Sequence, residues 1–312
     1  MINLFNINNY TINTSKYNSL LNDPIVEDFE NQIASYVGAK YACSVHSATM
    51  AIFLSLIDKE NLTVEIPTII PPVVPNAILC AGQKITYRDD IDWVGSSYIL
   101  HDFGDYKIID SAQQLEKNQF SKQANDSDLM IFSFYPTKPV GSVDGGMFVS
   151  NDPDKIERIK VLSRYGMTTN KDSWQRDIIL PGWKMYMNSI QADIALNNFK
   201  LLESKNATLE AVAEKYNSAF LLQNKSKHLY RIRVSNRKDF MRKMEKDNIQ
   251  CGIHYKAVHN IECYQVKEAL SLEKSMVESA QTVSIPFHEK LTHEEVNYII
   301  EKVKEHAVFA RK

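Results

Sequence analysis

The sequence predicts an α/β fold: a large layered domain built on a mostly parallel sheet, followed by a smaller C-terminal α+β module. Three observations predict it. Short apolar runs alternate with amphipathic stretches from Asp23 to Ser150, as strands and helices do in a layered domain. Two stretches of strong 3.6-residue periodicity, Ser189–Leu202 and Ala207–Leu222, then form a helical connector. Beyond them strand-like and helical runs alternate again to the end of the chain. With 312 residues, 44% of them hydrophobic and 24% charged, the chain can bury a sizeable core. Residues 1–22 read as an N-terminal arm, 23–204 as the large domain and 205–312 as the small one.

The elements follow in order. The arm is rich in Asn, Tyr, Ser and Thr and shows little periodicity. Asp23 and Pro24 open a helix, a carboxylate as cap and a proline in the first turn. Its apolar residues Ile25, Val26, Phe29, Ile33, Ala34 and Val37 keep helical spacing, and Gly38 ends it. Lys40–Val45 reads as a strand and Met50–Ile57 as a helix, with His46-Ser47-Ala48-Thr49 as the turn between them. A strand, a small polar turn and a helix start leave backbone N–H groups free for a phosphate, although Ser47 or Thr49 capping the helix explains the same residues.

Thr63–Ile66, Lys84–Tyr87, Ser97–His101 and Lys107–Asp110 are further strands, and Asn76–Ala81 ends a helix. Asp110 closes its strand, where α/β sheets gather ligands, but an acid there also serves as a helix cap. Leu129–Phe134 and Met147–Ser150 flank a loop holding Lys138 between two prolines, with a turn at Asp144-Gly145-Gly146. A lysine in a turn is ordinarily just solvated. Asp152–Leu162 is an amphipathic helix, and Leu180-Pro181-Gly182 breaks the chain. The C-terminal module reads as strands His228–Val234, Cys251–His254 and Thr282–Ile285, alternating with helices Arg237–Lys246, Glu268–Ala280 and His293–His306.

Composition excludes several classes. A net charge of −2 offers no basic field for nucleic acid. No apolar run approaches the roughly 18 residues of a membrane span, and the first residues lack a basic region followed by an apolar one. The four cysteines, Cys43, Cys80, Cys251 and Cys263, have no close spacing, so neither a metal nor a disulfide framework is expected. The expectation is a soluble cytoplasmic protein with no metal, no nucleic-acid partner and no membrane partner.

Six segments in a fixed order carry a resemblance: PIVEDFENQIASYVGAKYACSVHSATMAI, IPTIIPPVVPNAILCAG, IIDSAQQ, FSFYPTKPVGSVDGG, PGWKMYMNSIQADIAL, and GIHYKAVH with SIPFHEKLTHEEV. Together they resemble the DegT/StrS group of pyridoxal-phosphate (PLP) nucleotide-sugar aminotransferases. Gln113, Ser133 and Lys138 follow Asp110 by 3, 23 and 28 positions, the spacing that group shows. The resemblance implies a fold type I PLP-transferase with a mixed, mostly parallel sheet and residues 23–204 as the PLP-binding domain. It implies PLP held as a Schiff base on Lys138, which also shuttles the proton. Asp110 then partners the pyridine nitrogen, Gln113 the phenolic oxygen, and Ser133, Ala48 and Thr49 the phosphate. Lys184 would reach the phosphate of a partner subunit, which implies a homodimer with shared active sites. The implied reaction moves an amino group from an amino acid, L-glutamate by analogy, to a keto sugar on a nucleotide.

The chain also departs from that group. Pro71 stands where an aromatic normally stacks on the pyridine ring, and between Gly104 and Lys107 an expected helix is missing. A PLP-dependent sugar dehydratase, or an inert subunit of the same fold, therefore stays open as an alternative. His46, Tyr135, His254, Tyr255 and His288 are weaker candidates for substrate contact, and Arg164 and Arg231 for a carboxylate or diphosphate.

Overall fold

In the computed structural model, which describes residues 1–21, 23–168, 177–267 and 270–310, local chemistry sets the first elements. Asp23 caps α1 (Pro24–Val37) by accepting from the Ile25 N–H at 3.2 Å, and Gly38 closes the helix at φ 79°. There follow β1 (Tyr41–Val45), α2 (Ala48–Leu56), β2 (Thr63–Pro67), α3 (Val73–Cys80) and β3 (Lys84–Arg88). Next come β4 (Tyr98–Asp102), β5 (Lys107–Asp110), α4 (Gln119–Gln123), β6 (Leu129–Ser133), β7 (Gly146–Ser150) and α5 (Pro153–Ser163). Two helices, α6 (Ser189–Lys200) and α7 (Leu202–Phe220), meet at Leu201 and lead to β8 (Tyr230–Arg233), α8 (Arg237–Lys246), α9 (Glu273–Gln281), β9 (Thr282–Ile285) and α10 (His293–His306).

The main sheet has the order β1-β7-β6-β5-β4. It is mixed, as expected, but it is less parallel than expected. Only β5 and β6 pair in parallel; β1 with β7, β7 with β6 and β4 with β5 are antiparallel. The reversal of β4 has a simple cause. Four residues, 103–106, join it to β5, enough for a hairpin and far too few for the crossover of a dozen residues that a parallel pair needs. β2 and β3 form a separate parallel ribbon. Arg88 ties this ribbon to the sheet by donating to the Glu65 carbonyl on β2 and, at 3.0 Å, to the Ile99 carbonyl on β4.

Side chains alternate across the sheet with the two-residue period of a strand. Met130 and Phe132 of β6 join Phe29, Ile33 and Val37 of α1 and Ala192 and Leu196 of α6 on one face. Leu129 and Ile131 join Leu54, Ile78 and Ile159, from α2, α3 and α5, on the other. A third core gathers Tyr216 and Phe220 of α7, Phe240 of α8, Ile299 of α10, and Tyr230 and Val283 of the antiparallel β8–β9 pair.

Several sequence expectations change. Cys251–His254 is not a strand; it makes a single bridge, Gly252 to Ser284, and after His254, which bonds the Ser284 side chain, the chain turns so that Tyr255 meets Gln113. α4 was not anticipated, and α7 starts at Leu202 rather than Ala207. Of the helix expected from Glu268, the first two residues lie outside the described ones, and the helix begins at Glu273. The arm is irregular as read, yet its start is anchored: Ile2 bridges Ile249, and Leu4 is buried. Among the described residues no helix is long and apolar enough to cross a membrane.

Candidate active site

β1, β5 and β6 run in one direction, so their ends at Val45, Asp110 and Ser133 share one edge of the sheet. Asp110 is buried there, 4% exposed. Its Oδ1 accepts from the Ala112 N–H at 2.9 Å and its Oδ2 from the Tyr98 hydroxyl at 2.7 Å. Burial raises its carboxyl above the usual range, while Tyr98, Ala112 and the Lys138 charge pull it back down. Lys138 lies beyond β6 in a turn whose N–H bonds the Tyr135 carbonyl at 2.9 Å. Burial lowers its ammonium to about 8, against the pull of Asp110. An amine in this state is partly deprotonated near neutral pH, and so is a nucleophile and a proton acceptor.

Beside this pair lies an anion cradle. Ser133 pairs in register with Gly146, and Gly146 passes under the start of α2 so closely that a Cβ on it would sit 2.5 Å from the Ala48 nitrogen. Only glycine permits that approach. Ser47 caps α2 through the Met50 N–H at 3.3 Å, so the capping role expected of it is real. The N–H groups of Ala48 and Thr49 remain without a protein partner among the described residues. The Ser133 oxygen accepts from the Tyr135 N–H at 3.3 Å, which leaves its hydrogen to donate. A helix start with open N–H groups and a nearby hydroxyl suits a phosphate.

The wall facing Asp110 comes from both ends of the chain. Gln113, 2% exposed, accepts from the Gly95 N–H at 2.8 Å and donates to the Tyr255 hydroxyl at 3.1 Å. Tyr255 lies parallel to Trp93, with centroids 6.5 Å apart and planes within 6°. His254 bonds the Ser284 hydroxyl at 2.8 Å. Burial and the Lys138 charge lower it to about 4, and lower the buried His228 well below its ordinary range. Phe5 of the arm packs against both rings, at 5.9 Å from His228 and 5.7 Å from His254. Arg231 is committed to Glu278 at 2.9 Å. A cavity of about 510 Å³ opens beside Gln113 and Pro139 and runs to Arg231 and the 223–227 segment.

Other predicted residues lie as follows. Pro71 is half-buried at the turn into α3, where its carbonyl accepts from the Val74 N–H at 3.1 Å. Lys184 is exposed, bridged through its backbone to Arg164, and no contact joins it to Asp110 or Lys138 among the described residues. His46 follows β1, and its charge bears on Asp144. Tyr135 is exposed beside the Lys138 turn. His288 is tied to the Asn3 carbonyl at 3.1 Å, on the C-terminal side. Sequence reasoning missed Tyr98, Trp93 and His228. For Tyr98 a signal existed, the short 103–106 turn that makes β4 the antiparallel neighbour of β5. Among the described residues no cluster of His, Cys, Asp or Glu could hold a metal ion.

The donor set fits PLP: a desolvated amine, a buried carboxylate, an amide and an N–H cradle on one sheet edge, matching an aldehyde, a pyridine nitrogen, a phenolic oxygen and a phosphate. The family model of the DegT/DnrJ/EryC1/StrS aminotransferase family matches residues 6–73 and 99–304. The chain is 24% identical over 342 residues to the UDP-4-amino-4,6-dideoxy-N-acetyl-beta-L-altrosamine transaminase of Campylobacter jejuni (strain 81-176), covering 89% of this chain and 90% of that protein. It shares its fold with Helicobacter pylori PseC, an aminotransferase involved in the biosynthesis of pseudoaminic acid, at TM-score 0.79 and 19% identity over 98% of this chain and 99% of that one. It also shares it with Spr1654 from Streptococcus pneumoniae, a putative sugar aminotransferase solved in its PLP form, at TM-score 0.79 and 19% identity over 96% and 97%.

Proposed function

The chain belongs to the DegT/DnrJ/EryC1/StrS aminotransferase family, and we propose that it is a PLP-dependent enzyme that moves an amino group from an amino acid, L-glutamate in this reading, onto the keto sugar of a nucleotide-linked sugar. The observation that carries the reading is the buried pair of Asp110 and Lys138, each bearing on the other's charge at the edge that also holds the open start of α2. The similarity to named sugar transaminases supports the substrate class. A cytoplasmic homodimer completes the reading, with the exposed Lys184 reaching the partner subunit's phosphate cradle.

PLP, when bound, supplies an electron sink and carries the amino group between the two substrates. The residues divide the rest of the work. Lys138 Nζ, lowered to about 8 by burial, is reactive as the free amine and then accepts and returns the proton of the donor's Cα. Asp110 in its ionised form keeps a ring nitrogen protonated by holding a negative charge beside it. Gln113 has one amide hydrogen beyond its bond to Tyr255, available to a phenolic oxygen. Thr49, Ser133 and the N–H groups of Ala48 and Thr49 would hold the phosphate, and Pro71 would cover a ring face. The neutral imidazoles of His228 and His254 add no positive charge beside the amine. His46, Tyr135, Tyr255, His254 and His288 are the side chains proposed to meet the substrates.

The test is direct. Purified protein mixed with PLP is expected to turn yellow, glutamate to bleach that band, and a panel of nucleotide keto sugars to restore it with formation of an amino sugar seen by mass spectrometry. Protein that stays colourless with added PLP overturns the reading. A colour that no amino acid changes removes the transfer and leaves a cofactor-binding protein.

A further inference from the structure

Reversal of β4 does more than change the sheet. It makes Tyr98 the direct cross-strand partner of Asp110, so the two side chains leave the same face at neighbouring positions. The tyrosine hydroxyl donates to Asp110 Oδ2 at 2.7 Å. Its ring is held on two sides. Trp93 packs edge-on at 4.6 Å between centroids, itself anchored by a 3.0 Å bond from its Nε1 to the Ile69 carbonyl. Arg88 sits 5.8 Å from the ring centroid, fixed by the Glu65 and Ile99 carbonyls. Tyr98 is itself buried, and burial with the adjacent Asp110 charge keeps its hydroxyl protonated.

Asp110 needs such a donor. Its other charged or titratable neighbours are the Lys138 amine and the Tyr255 hydroxyl, with Arg88 behind Tyr98. Burial favours the neutral acid, and a neutral acid cannot hold a positive ring nitrogen. Charge-assisted bonds to a buried carboxylate are the strong ones.

We infer that Tyr98 is a positioning residue: through its hydroxyl it keeps Asp110 ionised and fixes which lone pairs of the carboxylate remain open to a cofactor ring nitrogen. The part that concerns the cofactor rests on the function proposed above. Residues 74–98 fall between the two segments of the family match, so this tyrosine lies in the stretch that the family model leaves unmatched, at the start of the strand whose register the short 103–106 turn sets.

Tyr98→Phe removes the hydroxyl and keeps the ring against Trp93. In protein without PLP, the Asp110 carboxyl band followed by infrared titration, assigned by its loss in Asp110→Asn, is expected to move up by about one pH unit or more. PLP affinity is expected to fall about tenfold or more, and that fall should vanish in an Asp110→Asn background. An unchanged titration in Tyr98→Phe overturns the inference, whether or not the protein binds PLP. Wild-type protein that fails to bind PLP overturns the proposed function and leaves the titration standing. If Tyr98→Phe does not fold, folding of Tyr98→Phe/Asp110→Asn supports the inference, because only the unpaired buried carboxylate has been removed. Failure of the double variant to fold overturns it.

Discussion

Asp110 has two neighbours in the sheet, and they were built under different rules. On one side stands β6, parallel, carrying Ser133 and leading to Lys138. On the other stands β4, antiparallel, carrying Tyr98. The β6 side holds groups that the chemistry itself would touch, an amine and a hydroxyl. The β4 side holds a group whose hydroxyl bonds Asp110 itself. Reacting groups are tied to fixed spacings along the chain because each must meet a defined atom. A supporting donor needs only to arrive within hydrogen-bond distance, so its place follows from local topology, here the length of one turn.

The comparison breaks first at Lys138. Lys138→Ala is expected to lower turnover by about 10⁴-fold and to abolish borohydride trapping of PLP on the protein, read as a mass shift on the 138 peptide. Wild-type trapping should also have a sign in pH. The amine reacts only when deprotonated, so with its pKa at about 8 the trapping rate rises about tenfold per pH unit below 8 and levels above it. A rate that keeps climbing to pH 10 would mean an amine as basic as one in water, and the buried pair would lose its meaning.

Legibility follows the same divide. The order Asp110, Gln113, Ser133, Lys138 could be read as a motif, and α1, which begins with Asp23-Pro24 and ends at Gly38, was legible from capping alone. Long-range partners were not. Phe5 lies against His228 and His254, and Tyr255 crosses to Gln113, through contacts between residues more than 140 positions apart. Nothing local marks such pairs. Cys251–His254 failed for a related reason: an apolar-flanked run that looks like a strand keeps one bridge and the His254 bond, both to Ser284 of β9, before Tyr255 crosses to Gln113. Reversal of β4 sits between these cases. Its cause, four residues at 103–106, was in plain view; its consequence, Tyr98 opposite Asp110, required the pairing register.

Next in size is Gly146→Val. The added Cβ would meet the Ala48 nitrogen and the Ser47 carbonyl carbon at 2.5 Å, and backbone cannot yield as a flexible side chain does. The start of α2 must move, and overpacking of this kind makes a loss of PLP affinity of about 10- to 100-fold reasonable to expect. Inorganic phosphate is expected to compete with PLP for the same cradle in wild-type protein and to lose that competition in parallel in the variant. Equal phosphate competition in both proteins would place the anion elsewhere.

The smallest expected effect belongs to Gln113, and it sharpens the comparison most finely, because this residue serves both sides. Its amide clamps the Gly95 N–H and the Tyr255 hydroxyl, a supporting role like that of Tyr98, while its remaining hydrogen is proposed to reach the cofactor's phenolic oxygen. Gln113→Ala is expected to weaken PLP binding by about tenfold, measured by fluorescence quenching, with turnover at saturating PLP within about tenfold of wild type. The outcome separates the two roles. Weaker binding at an unchanged melting temperature assigns the amide to the cofactor. A lower melting temperature with unchanged PLP affinity assigns it to the clamp alone, and Gln113 then joins Tyr98 on the supporting side of Asp110.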